Sequence, residues 1–222
     1  PDEAIQRRIK SLKGEIALKT YVSLTCTNCP DVVQALNLMS LINPNIKHEM
    51  VDGGIYQQEV SDLNIQGVPA VYRNNESLHI GRGDLGILLQ ELEDMVGSEA
   101  LENEESIERE YDVIVIGGGP AGASAAIYSA RKGLKVGLVA ERIGGQVNDT
   151  TGIQNLISVP NTNGTQLAAD LKAHLSDYPI ELFEHRKIAS VSLKEKTKSI
   201  KVKGGEVFKA PAVIIATGAN WR

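Results

Sequence analysis

Cys26 and Cys29 are the chain's two cysteines, separated by Thr27 and Asn28. A thiolate is the attacking group of disulfide exchange, and a two-residue gap lets both sulfurs meet. Such a pair opens and closes a disulfide without unfolding the chain. Farther on, Gly117-Gly118-Gly119-Pro120-Ala121-Gly122 has the spacing of a loop that lets backbone approach a dinucleotide pyrophosphate. A dithiol followed by a dinucleotide loop suggests electrons passing from a flavin to a mobile dithiol.

The elements around the dithiol fit that chemistry. Residues 15–25 (EIALKTYVSLT) alternate and read as a strand, and 31–41 have helical spacing, with Pro30 suited to the first turn. Cys26 therefore falls at the strand end and Cys29 one turn inside the helix. The positive end of a helix dipole lowers a thiol pKa, so Cys26 is the expected attacking thiol and Cys29 the resolving one. Further strands are expected at 46–52, 67–72 and 77–81, the last two across an Asn74-Asn75 turn, and helices at 57–63 and 84–95. The order is β-α-β-α-β-β-α. A CxxC between a strand and a helix in this pattern points to a thioredoxin-like redox site. Pro69, in Val68-Pro69, opens a strand roughly 40 residues beyond the dithiol, where such folds place a cis-proline beside the sulfurs; the alternative is an ordinary trans proline at a strand start. Two inert buried cysteines are one rival reading of the pair. Zinc is another, but there is no second CxxC, and His48, His79, His174 and His185 are scattered.

Residues 98–110 (SEALENEESIERE) are acidic and nearly free of large apolar side chains. They read as an interdomain linker or as the solvated face of a helix. As a random coil, roughly 13 residues span on the order of 20 Å, enough to let a dithiol domain swing.

A second pattern begins at Tyr111. Residues 111–116 (YDVIVI) form the apolar run of a buried parallel strand, and 123–131 a helix closed by Gly133. A strand at 134–140, a helix at 164–178 and short strands at 188–193, 199–202 and 212–216 follow. Gly117 allows the tight turn, Gly119 lets backbone approach the phosphates, and Gly122 lets helix and strand pack closely. Glu141, about 20 residues on at the end of the next strand, is where an acid grips ribose hydroxyls. The alternative is a Gly-rich turn with an incidental glutamate. GxGxxG does not choose between NAD and FAD. Gly144-Gly145-Gln146 and Ala216-Thr217-Gly218 resemble segments that flank FAD in two-dinucleotide-binding flavoproteins.

Composition is ordinary for a globular protein: 42% hydrophobic and 23% charged, with a net charge of −5. An acidic chain argues against non-specific nucleic-acid binding. No stretch is long enough to span a bilayer and no signal-peptide pattern opens the chain, so no membrane partner is expected. Two cysteines in a redox spacing fit a cytoplasmic protein better than a secreted disulfide scaffold.

Taken together, CTNCPDVVQALNLMS, VDGG, GVPAVY, YDVIVIGGGPAGASAAIYSARKG, ERIGGQ and IIATGANWR resemble, in family order, segments of the flavoprotein (F) subunits of bacterial alkyl hydroperoxide reductase. The resemblance covers essentially the whole chain. It implies an α/β protein: a thioredoxin-like domain at 1–97, N-terminally incomplete, the linker at 98–110, and a Rossmann-like FAD-binding domain at 111–222, C-terminally incomplete. It implies an enzyme in which NADH or NADPH reduces FAD, FAD reduces a second disulfide, and that pair reduces Cys26–Cys29. The dithiol then reduces a peroxiredoxin that consumes hydrogen peroxide and alkyl hydroperoxides. Cys26, Cys29 and Pro69 match the redox site. Gly117, Gly119, Pro120, Ala121, Gly122, Glu141, Gly144, Gly145 and Gln146 match the FAD segments, with Asn155, Thr217 and Gly218 as further flavin-side positions. A homodimer through the flavoprotein half is also implied. The family's acidic-Asn-aromatic triplet is here Gln154-Asn155-Leu156. Its second CxxC and second GxGxxG are not in these residues, so the chain reads as an internal fragment that should not turn over NADH by itself. Two alternatives stand beside this: a thioredoxin-reductase-like enzyme serving a thioredoxin-type acceptor, and a non-enzymatic redox sensor that holds a nucleotide.

Overall fold

The computed structural model describes residues 1–99 and 107–219. Residues 100–106 and 220–222 lie outside the described residues, so the expected linker is described only at its two ends. The chain divides into two compact units, 1–104 and 105–222.

The first unit runs α1 (Glu3–Lys10), β1 (Ile16–Val22), α2 (Cys29–Ile42), β2 (Ile46–Asp52), α3 (Gln57–Asp62), β3 (Ala70–Arg73), β4 (Glu76–Ile80) and α4 (Leu85–Val96). The sheet order is β2-β1-β3-β4. β1 and β2 are parallel; β3 runs antiparallel to β1 and β4 antiparallel to β3. Alternation along β1 explains the two cores. Ile16 and Leu18 pack with Ile5 and Ile9 of α1, Val32, Leu36 and Met39 of α2, and Leu88, Leu89 and Leu92 of α4. Tyr21 faces the other way and joins Val51, Ala70 and Tyr72, against which Val60, Leu63 and Ile65 pack. The β3–β4 turn is made by Asn74 and Asn75, both at positive φ, as a tight hairpin requires.

Helix α1 is an element the sequence pattern does not predict. Asp2 caps it, accepting from Ile5 N at 3.2 Å. Arg8 ties it to α4 by a two-pronged contact with Glu93, at 2.8 and 2.9 Å. The strand expected over 15–25 stops at Val22 because the chain turns there, with Cys26 N donating to Ser23 O at 3.0 Å.

The second unit runs β5 (Glu108–Glu110), β6 (Val113–Ile116), α5 (Pro120–Arg131), β7 (Val136–Val139), a 3-10 turn (Gly145–Asp149), α6 (Gly164–Ser176), β8 (Ile180–Phe183), β9 (Ile188–Ser192), β10 (Lys198–Val202), β11 (Val207–Ala210) and β12 (Ala212–Ile215). One sheet is wholly parallel, in the order β12-β6-β7-β8. Its two faces account for the apolar run of β6. Val113 and Val115 pack on Ala123, Ala126 and Ile127 of α5, while Ile114 and Ile116 pack on Ile200, Val202 and Phe208 of a second sheet, β5-β11-β10-β9. Glu108–Glu110, within the acidic stretch, thus form an edge strand parallel to β11. Arg186 and Glu206, buried together, bond at 2.8 Å, and Arg109 reaches the other Glu206 oxygen at 3.4 Å. No helix among the described residues is long and apolar enough to cross a membrane.

Candidate functional site

In the first unit, β1 ends at Val22, a turn delivers Cys26, and α2 begins at Cys29 itself. The sequence pattern puts Cys29 one turn inside the helix; Pro30 at the second helical position allows the later start, because its missing N–H is not needed there. Cys26 and Cys29 form a disulfide, with Cα atoms 5.5 Å apart. Cys29 N donates toward Cys26 Sγ at 3.1 Å. Cys29 is 4% exposed, while Cys26 keeps part of its surface open. The more open residue, Cys26, is thus the one whose sulfur faces the first amide of α2, where dipole and amide favour a thiolate.

The Val68-Pro69 bond is cis, and Cys26 Sγ lies 3.8 Å from Val68 O. Because β3 runs antiparallel to β1, Pro69 enters the sheet at the edge where β1 hands over to the dithiol. The loop after β2, parallel to β1, ends at that same edge. Leu24, Ile55 and Tyr56, all more than half exposed, follow these strand ends. Arg82, which no sequence motif marks, donates from Nε to Asn28 Oδ1 at 3.3 Å. No local pattern announces a bond between residues 54 positions apart.

In the second unit, three glycine segments converge. Gly117 has φ +116°, and a Cβ there would collide with Ala216 O, so the turn after β6 packs directly on the Ala216-Thr217 backbone. A Cβ at Gly122 would collide with Gly117 O, which closes the turn onto α5. Gly118 O accepts from Gly144 N at 2.8 Å, and Gly145 packs on Gly119. Asn148 holds the 143–145 turn by donating to Ile143 O (2.8 Å) and Gly145 O (3.0 Å). Gln146 donates from its side chain to Ala219 O, joining the second and third segments. Glu141 follows β7, is exposed, and its backbone accepts from His185 N at 2.9 Å. Thr217 and Gly218 are exposed beyond β12. Asn155 stands apart: it is exposed, in an excursion closed by the Ile153–Thr162 and Leu156–Val159 bridges. Among the described residues no hydrogen bond joins Asn155 to the glycine segments.

These residues fit a dinucleotide. The N-cap of α5 is Gly119, and no side chain caps that helix end. A Cβ at Gly119 would meet only Gly144 O, 4.0 Å away. Protein packing thus explains glycine at 117 and 122 but not at 119, where the open side is that of the helix N-terminus, which favours a phosphate. Pro120 and Ala121, exposed in the first turn, leave that approach clear. Among the described residues no three His, Cys, Asp or Glu side chains gather into a metal site.

Comparison with known proteins bears on both units. The family described as pyridine nucleotide-disulphide oxidoreductase matches residues 111–222. The chain is 47% identical over 221 residues to a Bacillus subtilis protein named NADH dehydrogenase, covering 42% of that protein. It is 45% identical over 224 residues to the alkyl hydroperoxide reductase F subunit of Escherichia coli, covering 43% of it. The chain thus spans less than half the length of these relatives, and the alignments reach 100% and 99% of its own residues. A thioredoxin reductase structure from Streptococcus pyogenes is 32% identical over 51% of this chain and 37% of its own, with a TM-score of 0.48.

Proposed function

Since the chain belongs to the pyridine nucleotide-disulphide oxidoreductase family, we propose that it is the dithiol and flavin-binding part of an FAD-dependent disulfide reductase, drawing on NADH or NADPH and serving a peroxiredoxin that removes hydrogen peroxide and alkyl hydroperoxides. The observation that carries this reading is the Cys26–Cys29 disulfide at the start of α2, in a chain whose other unit gathers three glycine segments around an uncapped helix end. Relatives of nearly half identical sequence named for hydroperoxide reduction support it. The domain limits 1–97 and 111–222, the homodimer and the cytoplasmic location belong to the same proposal.

Bound FAD would supply two-electron reduction of a disulfide. The residues of this chain hold and present. The N-terminus of α5 with Gly117, Gly119, Pro120, Ala121 and Gly122 takes the pyrophosphate. Glu141 takes the ribose hydroxyls, and Gly144, Gly145, Gln146, Thr217 and Gly218 shape the floor. In the first unit, reduced Cys26 is the thiolate that attacks the acceptor's disulfide, forming a mixed disulfide. Cys29 then attacks the Cys26 sulfur, its proton passes to the departing acceptor thiolate, and the Cys26–Cys29 bond re-forms. Pro69 lines the edge on which the acceptor lies.

A name such as NADH dehydrogenase describes electron entry and no acceptor; the dithiol is what favours a disulfide-bearing one. The test uses the chain reduced with dithiothreitol, freed of reductant, and mixed with oxidised peroxiredoxin or oxidised thioredoxin. Reduction of the peroxiredoxin, with one peroxide consumed per Cys26–Cys29 pair, supports the proposal. Transfer to thioredoxin alone moves the assignment to a thioredoxin-type acceptor. No transfer to either leaves the redox-sensor reading in its place.

A further inference from the structure

Asn28 is the residue before α2, yet its side chain makes no cap for that helix. Its Oδ1 instead accepts from Arg82 Nε at 3.3 Å. The β4–α4 turn that carries Arg82 is held by its neighbours. Gly81 N donates to Pro69 O at 2.8 Å, tying the β4–α4 turn to the cis-proline. His79 sits between Glu91, at 3.0 Å from Nδ1, and Gly81 O, at 3.1 Å from Nε2. Asp84 caps α4, accepting from Ile87 N at 3.0 Å. Gly83 is buried in this turn, and a Cβ there would come within 2.7 Å of His79 Nε2. These bonds tie the turn to the strand edge, and it presents a guanidinium to the residue beside Cys29.

We infer that Arg82 is a positioning residue for the Cys26–Cys29 pair, an inference that rests on the disulfide-reductase reading. It pins the Asn28 corner of the dithiol turn to the cis-proline edge. It also sets a fixed positive charge beside the N-terminus of α2. On reduction by a dithiol, the donor leaves as a disulfide, Cys29 takes up a proton as a thiol, Cys26 remains a thiolate and one proton goes to solvent. The thiolate form gains from the Cys29 amide, the helix end and Arg82, and it is opposed by Asp31 in the first turn of α2 and by Asp84. Arginine suits the role because it stays charged at every relevant pH and still donates through Nε.

The experiment uses the whole chain, reduced with dithiothreitol. Rates of Cys26 alkylation by iodoacetamide are measured against pH, and the dithiol–disulfide equilibrium is measured against glutathione. Arg82→Gln should leave about threefold less thiolate on the rising limb of the profile, as expected for one exposed charge at a helix end. Its equilibrium should move toward the disulfide by a similar factor. Arg82→Lys should restore most of the alkylation profile. Asn28→Ala combined with Arg82→Gln should lose less than the sum of the two. Should R82Q fail to fold, Arg82→Met keeps the aliphatic stem and is read in the same way. An R82Q profile and equilibrium matching the unsubstituted chain would overturn the inference, as would an R82K variant as impaired as R82Q. An unsubstituted pair that dithiothreitol cannot reduce would instead overturn the functional reading itself.

Discussion

The backbone N–H of Cys29 points at the sulfur of Cys26, 3.1 Å away. One residue thus holds both the second sulfur and the amide that favours negative charge on the first. The two sulfurs differ in access, since Cys29 is 4% exposed and Cys26 lies more open. Asymmetry of this kind is what a directional exchange needs: one thiol to meet the partner, the other to release it.

Cys29→Ser should therefore accumulate a mixed disulfide through Cys26 when the reduced chain meets an oxidised acceptor. Non-reducing electrophoresis and peptide mass spectrometry read it. A trap formed by Cys26→Ser instead would reverse the two roles.

Gly119→Ala and Gly122→Ala should separate binding from folding. At Gly119 the backbone is extended and the nearest protein atom to a Cβ is 4.0 Å away. That variant should melt within about 0.5 kcal/mol of the parent, as ordinary surface substitutions do, yet bind FAD at least about tenfold more weakly. Gly122→Ala would drive a Cβ into Gly117 O and should cost about 1–3 kcal/mol, as overpacking does. Thermal melts with a flavin titration distinguish the two. A Gly119→Ala variant that binds FAD normally would remove the pyrophosphate assignment.

Glu141→Ala tests the ribose contact. The side chain is exposed and has no hydrogen-bonding partner among the described residues. Stability should not change, while FAD affinity should fall by about 1.5–3 kcal/mol, the worth of a hydrogen bond to a charged group. Unchanged affinity would make this glutamate incidental.

Glu206→Ala tests the packing of the second unit. It removes the carboxylate that bonds Arg186, whose side chain is 1% exposed, at 2.8 Å. An uncompensated buried charge costs about 3–5 kcal/mol. The denaturation midpoint followed by probes in this unit should drop accordingly.

His48 gives the first unit a pH dependence. Burial pulls its pKa down to about 4 from 6.5. The neutral ring suits its partners, with Nδ1 donating to Asn37 Oδ1 and Nε2 accepting from Thr20 Oγ1, both at 2.8 Å. A group whose folded pKa is depressed binds its proton more readily when unfolded. The stability is thus fully present above about 6.5 and is lost as pH falls from there toward 4. The loss should be on the order of 1–2 kcal/mol, discounted for a ring that keeps part of its surface wet. Urea midpoints measured across this range should fall for the parent and stay flatter for His48→Gln.

The sequence by itself determined the chemistry and most of the frame. Spacing alone defines CxxC and GxGxxG. The apolar run of residues 113–116 announced a strand buried on both faces, and two adjacent asparagines announced a hairpin turn. Each of these signals is local, so a short window contains it. The elements that escaped were short or rested on distant partners. Helix α1 is stabilised by Arg8 meeting Glu93, β8 is four residues with a glutamate among them, and β5 exists only because β11 offers it a ladder. The 117–119 and 144–146 segments carry no mark saying that they meet each other and the backbone at 216–219. Only folding brings Gly117 against Ala216, Gly118 against Gly144 and Arg82 against Asn28. Contacts of that kind depend on how strands order themselves in a sheet and where their loops end, and that is a property of the whole packed unit rather than of any stretch of residues.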